Sequence, residues 1–168
     1  SADWRPNYVP DSVVSPISSL WVDQARVGFG FARDPALQAG QEFKAQLVRA
    51  GVQVEGPIRR SKAAPSAVEL ASVHSAPLGE IVEEVLGVSD NQAAEVLARH
   101  VSLKVANDPS FRGGATAVQQ VLAGAGVNTT GNVTFDGSGL SRANRLTADS
   151  LAQTLRLATA PGQPGLRA

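Results

Sequence analysis

The chain has 168 residues, enough for one ordinary domain and too few for two comfortable ones. Lys and Arg number 15, as do Asp and Glu, so the formal net charge is zero; that balance leaves no electrostatic case for nucleic acid or an anionic membrane as the main partner. With 43% apolar residues and no cysteine, the composition supports a core and excludes disulfides, thiolate metal sites and a Cys nucleophile.

No stretch approaches the roughly 20 consecutive apolar residues of a membrane span. Ser1–Pro10 lacks a basic start followed by an apolar run, so an exported form would carry its leader outside this chain. Ser1–Pro16, with Pro6, Pro10 and Pro16, reads as an extended connector, and residues 1–33 as a whole as a connector to an accessory domain. Ile17–Val22 reads as a strand between Pro16 and Asp23. Asp34-Pro35 then opens a helix, since Asp can cap and Pro suits the first helical position. Its apolar face is Ala36, Ala39, Phe43, Leu47 and Ala50, closed by Gly51. Val52–Val54 is a short strand candidate and Gly56–Pro65 a loop, in which Arg59, Arg60 and Lys62 are solvated charges.

The middle is more clearly helical. Leu78, Ile81, Val82, Val85 and Leu86 form an amphipathic stripe that Gly87 stops. Ala93, Ala94, Leu97 and Val101 predict the buried face of the next helix. A third covers about Ala115–Ala125, with Val118, Val121, Leu122 and Ala125 inward and Gly126 at its end. A short strand, Asn132–Phe135, and the turn Asp136-Gly137-Ser138-Gly139 follow. The last helix, about Thr147–Ala158, turns Leu151, Leu155 and Ala158 to one side. The pattern is α/β (α+β): a mostly helical layer with several short strands, some of which look like pieces of a sheet whose other strands are missing.

Two constellations could carry chemistry. Ser89-Asp90-Asn91 stands at a junction between helices. Ser89 followed by Gln92 reads as a capping box, with the Ser89 hydroxyl taking the Gln92 N–H, a cap worth about 1 kcal/mol without any function. The functional alternative is a helix start that projects a hydroxyl able to relay a proton and a carboxamide able to hold a substrate amide. The second constellation is Asp136–Arg142 with Asn144. It reads either as a tight glycine turn or as a nucleophile loop, and the latter fails: the segment is G-S-G rather than G-x-S-x-G, and His74 and His100 both precede Ser138. The two histidines have no ligand spacing for a metal, and Gly28-Phe29-Gly30 and Gly113-Gly114 match no phosphate loop. No cofactor is expected.

These residues resemble the D-alanyl-D-alanine carboxypeptidase/endopeptidase family of low-molecular-mass class C penicillin-binding proteins. The likeness lies in Ser75-Ala76-Pro77-Leu78, Glu80-Ile81-Val82, Ser89-Asp90-Asn91 with Ala94-Glu95-Val96-Leu97, Gly113-Gly114, and Asp136–Arg142 with Asn144. It reaches back weakly to Trp4 and Ser15–Asp23, and so covers most of the chain. The resemblance implies a β-lactamase/transpeptidase-like fold, a helical layer beside a five-stranded antiparallel sheet, with 1–168 as part of such a domain. It implies removal of the terminal D-alanine from cell-wall peptides through an acyl-enzyme, with the peptidoglycan stem peptide as substrate, β-lactams as inhibitors of the complete enzyme and an extracytoplasmic location (periplasm or cell wall). Ser89 then matches the proton-relay serine and Asn91 the residue that holds the substrate amide; Asp90 braces the loop, and Ser138, Gly139 and Leu140 contact substrate.

The departures matter as much. No Ser is followed three residues later by Lys, since Gln41, Arg59 and Val101 stand at that offset from the three lysines, and no Lys-Thr-Gly occurs. The family places S-x-x-K before Trp4 and K-T-G after Ala168, so the expectation is a fragment that alone neither hydrolyses D-Ala-D-Ala nor binds penicillin covalently. It would find its nucleophile in the remainder of the same protein. Two alternatives are a non-catalytic module of the same fold that binds peptidoglycan or a partner protein, and a helical structural domain in which Ser89 is only a cap. A class A β-lactamase also carries S-D-N, but the Asp136–Arg142 run and the long region before Ser89 favour the carboxypeptidase.

Overall fold

The computed structural model describes residues 4–161. The chain divides into two compact units, one of Pro6–Ser75 and one joining the residues before Pro6 to those from Ala76 on.

In the first unit, residues 6–13 are a run of turns, which corrects the extended connector. Asn7 and Asp11 supply the turn chemistry between the prolines: the Asp11 N–H donates to the Asn7 carbonyl at 2.8 Å, and Asn7 Nδ2 to Asp11 Oδ2 at 2.6 Å. Ile17–Val22 forms no strand, and neither does Val52–Val54, because among the described residues no segment pairs with either. The chain instead makes a left-handed turn at Asp23–Ala25, where φ is +48°, +53° and +62°. It leads into a two-stranded hairpin that sequence reading missed: β1 (Arg26–Val27) and β2 (Gly30–Phe31), antiparallel, with Arg26 opposite Phe31. Gly28, at φ +58°, opens its two-residue turn.

Helix α1 (Pro35–Arg49) begins as expected, with Asp34 accepting from the Leu37 N–H and Pro35 in the first turn; Gly51, at φ +84°, closes it. Its stripe is only partly used, for Ala39 is buried while Phe43 is 65% exposed. The following loop leaves Arg59 and Lys62 exposed and pairs Arg60 with Asp34.

The second unit is helical: α2 (Leu78–Val88), α3 (Asn91–Ala106), α4 (Phe111–Gly124) and α5 (Ala148–Thr159). Gly87 does not end α2; Ser89 does, by turning left-handed at φ +58°. Helix α4 starts a turn before the expected Ala115 because Ser110 accepts the Gly113 N–H at 2.9 Å. Thr147 caps α5 in the same way at Ser150. The expected strand Asn132–Phe135 reduces to one bridge, Val133 with Arg145, made of two hydrogen bonds of 2.8 and 2.7 Å.

Packing in this unit rests on small residues. Ala98, Ala115 and Ala117 are buried, and a Cβ on Gly114 would stand 3.3 Å from the Ala98 backbone, so α3 and α4 meet almost backbone to backbone. The buried face of α3 is Gln92, Glu95, Ala98 and Ser102, not the Ala93, Ala94, Leu97 and Val101 that periodicity predicts. Ala94, Leu97 and Val101 instead line an open concavity of about 540 Å³, together with Val85 of α2, Leu122 of α4 and Leu151 of α5. A stripe of apolar residues marks a face that avoids water; it does not say which neighbour covers it.

Candidate functional site

The S-D-N tripeptide occupies the α2–α3 junction. Asp90, rather than Ser89, is the cap of α3: its Oδ1 accepts the Ala93 N–H at 3.0 Å. The capping box at Ser89 is therefore corrected. Asp caps as well as Ser does, and Ser89 is committed to the left-handed position that terminates α2. This leaves the Ser89 side chain exposed and Asn91, the first residue of α3, half-buried. A non-glycine residue in that conformation costs on the order of 1 kcal/mol. Backbone tension of that kind gathers at functional positions.

One turn along α3, about 6 Å up the axis from Asn91, stands Glu95, 1% exposed. Its Oε1 accepts three hydrogen bonds: from the Gly137 N–H at 3.0 Å, the Ser138 N–H at 2.9 Å and the Ser138 hydroxyl at 2.7 Å. Burial pushes the Glu95 carboxyl above the usual carboxylate range; the Ser138 hydroxyl and the two N–H groups pull it back, and the negative Asp136 adds to the rise.

Asp136, expected only as a turn residue, is the hub of the loop. Its Oδ2 accepts from Ser141 N–H at 2.6 Å and from the Trp4 indole at 2.8 Å; its Oδ1 accepts from Gly139 N–H at 3.1 Å and Asn144 Nδ2 at 2.7 Å. Asn144 completes the frame by accepting the Phe135 N–H at 2.9 Å. Trp4 also stands edge-on to Phe111, with ring centroids 5.1 Å apart, and the Arg99 guanidinium lies over that ring at 4.1 Å. The loop lies directly on α3: a Cβ on Gly137 would come within 2.5 Å of Ala98 Cβ and 2.9 Å of the Ala94 carbonyl oxygen. Glycine is required there for lack of room.

The two constellations are thus joined through Glu95. Ser138 and Gly139 lie on the polar rim of the apolar concavity, while Ser89, Asn91 and Leu140 are not part of its lining. Sequence reading missed Glu95 and Trp4 as members of the site. Their signals were weak: an acidic residue amid Ala94, Val96 and Leu97, and a lone Trp far away in sequence. Among the described residues, no three His, Cys, Asp or Glu side chains group as metal ligands.

The sequence model of the D-Ala-D-Ala carboxypeptidase 3 (S13) family matches residues 19–166. The chain belongs to this family. Relatives of the chain are carboxypeptidases by name. A carboxypeptidase of Mycobacterium tuberculosis is 35% identical over 169 residues, which is 98% of this chain and 36% of that protein. Carboxypeptidase DacB of Mycolicibacterium smegmatis is 34% identical over the same shares. The D-alanyl-D-alanine carboxypeptidase of an Actinomadura species is 36% identical over 151 residues, 88% of this chain and 28% of that protein. The chain spans about a third of the length of the relatives it matches.

Proposed function

We propose that this chain supplies the S-D-N wall and the adjoining loop of a serine-type D-Ala-D-Ala carboxypeptidase that trims peptidoglycan stem peptides outside the cytoplasm. The observation that carries the reading is the Glu95 clamp, which fixes Ser138 against the same helix, one turn from Asn91. Family membership supports this reaction class. The apolar concavity formed by α2, α3, α4 and α5 is what a helical layer presents to a sheet, and so supports a β-lactamase/transpeptidase-like fold.

Hydrolysis of a D-Ala-D-Ala bond needs a nucleophile to form the acyl-enzyme, a proton for the departing D-alanine amine, and a fixed substrate amide. Ser89 offers an exposed hydroxyl for the proton relay, and Asn91 a carboxamide that donates and accepts at once. Asp90 holds the start of α3, so both neighbours keep their places. Ser138, Gly139 and Leu140 line the substrate's path. The nucleophile and its base would come from an S-x-x-K segment, and β-lactams would acylate the same serine.

The test uses the protein that joins this segment to S-x-x-K and K-T-G. Ser89→Ala and Asn91→Ala should each lower turnover of a D-Ala-D-Ala peptide by roughly 10²- to 10⁴-fold. Turnover unchanged by either would remove the assignment. A protein that takes up no benzylpenicillin by intact mass yet still binds stem peptide would be a non-catalytic binding module instead.

A further inference from the structure

We infer that Glu95 is a positioning residue of the carboxypeptidase site, its buried carboxylate oxygen setting the place of Ser138 and the Gly137–Ser138 backbone at the rim of the apolar concavity. The inference rests on the function proposed above and extends it to a residue that would not touch substrate.

Three observations carry it. The carboxylate is 1% exposed, and the Gly137 N–H, the Ser138 N–H and the Ser138 hydroxyl converge on one of its oxygens. Burying an acid is costly, and a side chain needed only to fill this space could be apolar. The loop does not depend on Glu95 for its overall shape, because Asp136 already gathers Ser141, Gly139, Asn144 and Trp4 on its two oxygens. Within the loop, the Glu95 hydrogen bonds described above go to Gly137 and Ser138, the part that borders the concavity. Finally, Gly137 rests on Ala94 and Ala98 without room for a Cβ, so a small retreat of Glu95 would release Ser138 while the remainder of the loop stayed in place.

The substitutions Glu95→Gln and Glu95→Asp separate positioning from charge. Gln keeps an acceptor oxygen at the same reach and loses the charge; Asp keeps the charge and withdraws the oxygen by about 1.5 Å. In the protein that also carries S-x-x-K and K-T-G, Glu95→Gln should hold KM for a D-Ala-D-Ala peptide within about twofold. Glu95→Asp should raise KM about tenfold with kcat changed less than about threefold, the pattern of a misplaced binding group. The reverse ranking, with Asp normal and Gln impaired, would assign Glu95 a role through its charge and overturn the inference. So would kinetics that neither variant alters. Amide exchange at Gly137 and Ser138 gives a second reading that does not need activity. Protection should persist in Glu95→Gln and fall in Glu95→Asp, and protection retained in Asp overturns the clamp. If Ser89→Ala leaves turnover intact while exchange behaves as expected, it is the carboxypeptidase reading that fails, and the clamp stands as a structural fact.

Discussion

Ser89 and Asp90 exchange the roles that their spacing suggests. Ser-x-x-Gln satisfies the rule for a capping box, yet Asp90 lies one residue closer to the helix and takes the cap. Asp90→Ala should therefore cost about 1 kcal/mol of stability in thermal or urea unfolding. Ser89→Ala should cost well under that, since the hydroxyl caps nothing and Ala is no better suited to the left-handed conformation than Ser. The Glu95 carboxyl makes a different prediction. Its proton is held more tightly in the folded chain than in the unfolded one, so the folded state binds more protons between those two values. Stability from this group is full below the ordinary carboxylate range and is lost as pH rises through the raised value. Unfolding measured from acid to neutral pH should show Glu95→Gln gaining on the wild type as pH increases. A difference independent of pH would mean that Glu95 titrates normally.

The starts of α1 and α5 were legible because they depend on two or three local residues. Asp34-Pro35 and Thr147 stand where the sequence puts them, and Gly51 and Gly126 end α1 and α4 with positive φ. Strands were not, because a strand exists only with a partner, and for Ile17–Val22 no partner lies alongside. The burial of α3 was misread for a related reason. Its apolar stripe was visible, but its close contact with α4 is set by Ala98 and Gly114, whose small size is no hydrophobic signal. On the buried face of α3 the Ser102 hydroxyl is fully buried, with no hydrogen-bond partner among the described residues. Ser102→Ala should thus be neutral or stabilising by up to about 1 kcal/mol, because it removes a desolvated polar group without opening space. Gly137→Ala should destabilise the chain by roughly 1–3 kcal/mol in thermal or urea unfolding, as its methyl meets Ala98 and the α3 backbone.

For the whole molecule, the motif S-D-N and the run from Asp136 to Asn144 made the family legible, whereas the links between them were not, since Trp4 and Glu95 reach the loop across 132 and about 42 residues of chain. These 168 residues contain no Ser-x-x-Lys. These 168 residues, incubated with benzylpenicillin, should keep a mass near 17.4 kDa with no adduct. An adduct would place a nucleophile where none is assigned. Exposed apolar side chains are numerous, with Leu70 at 96% and Val73 at 97% exposure in the stretch before α2, and the concavity adds more. The chain should bind hydrophobic dyes and self-associate as its concentration rises.

The indole of Trp4 and the loop at Ser141 share one carboxylate oxygen of Asp136. The molecule therefore carries its own optical gauge. With Trp21 replaced by Phe, Trp4 becomes the sole strong fluorophore, and its emission would report, without any label, whenever a ligand or a substitution disturbs the far end of that shared bond.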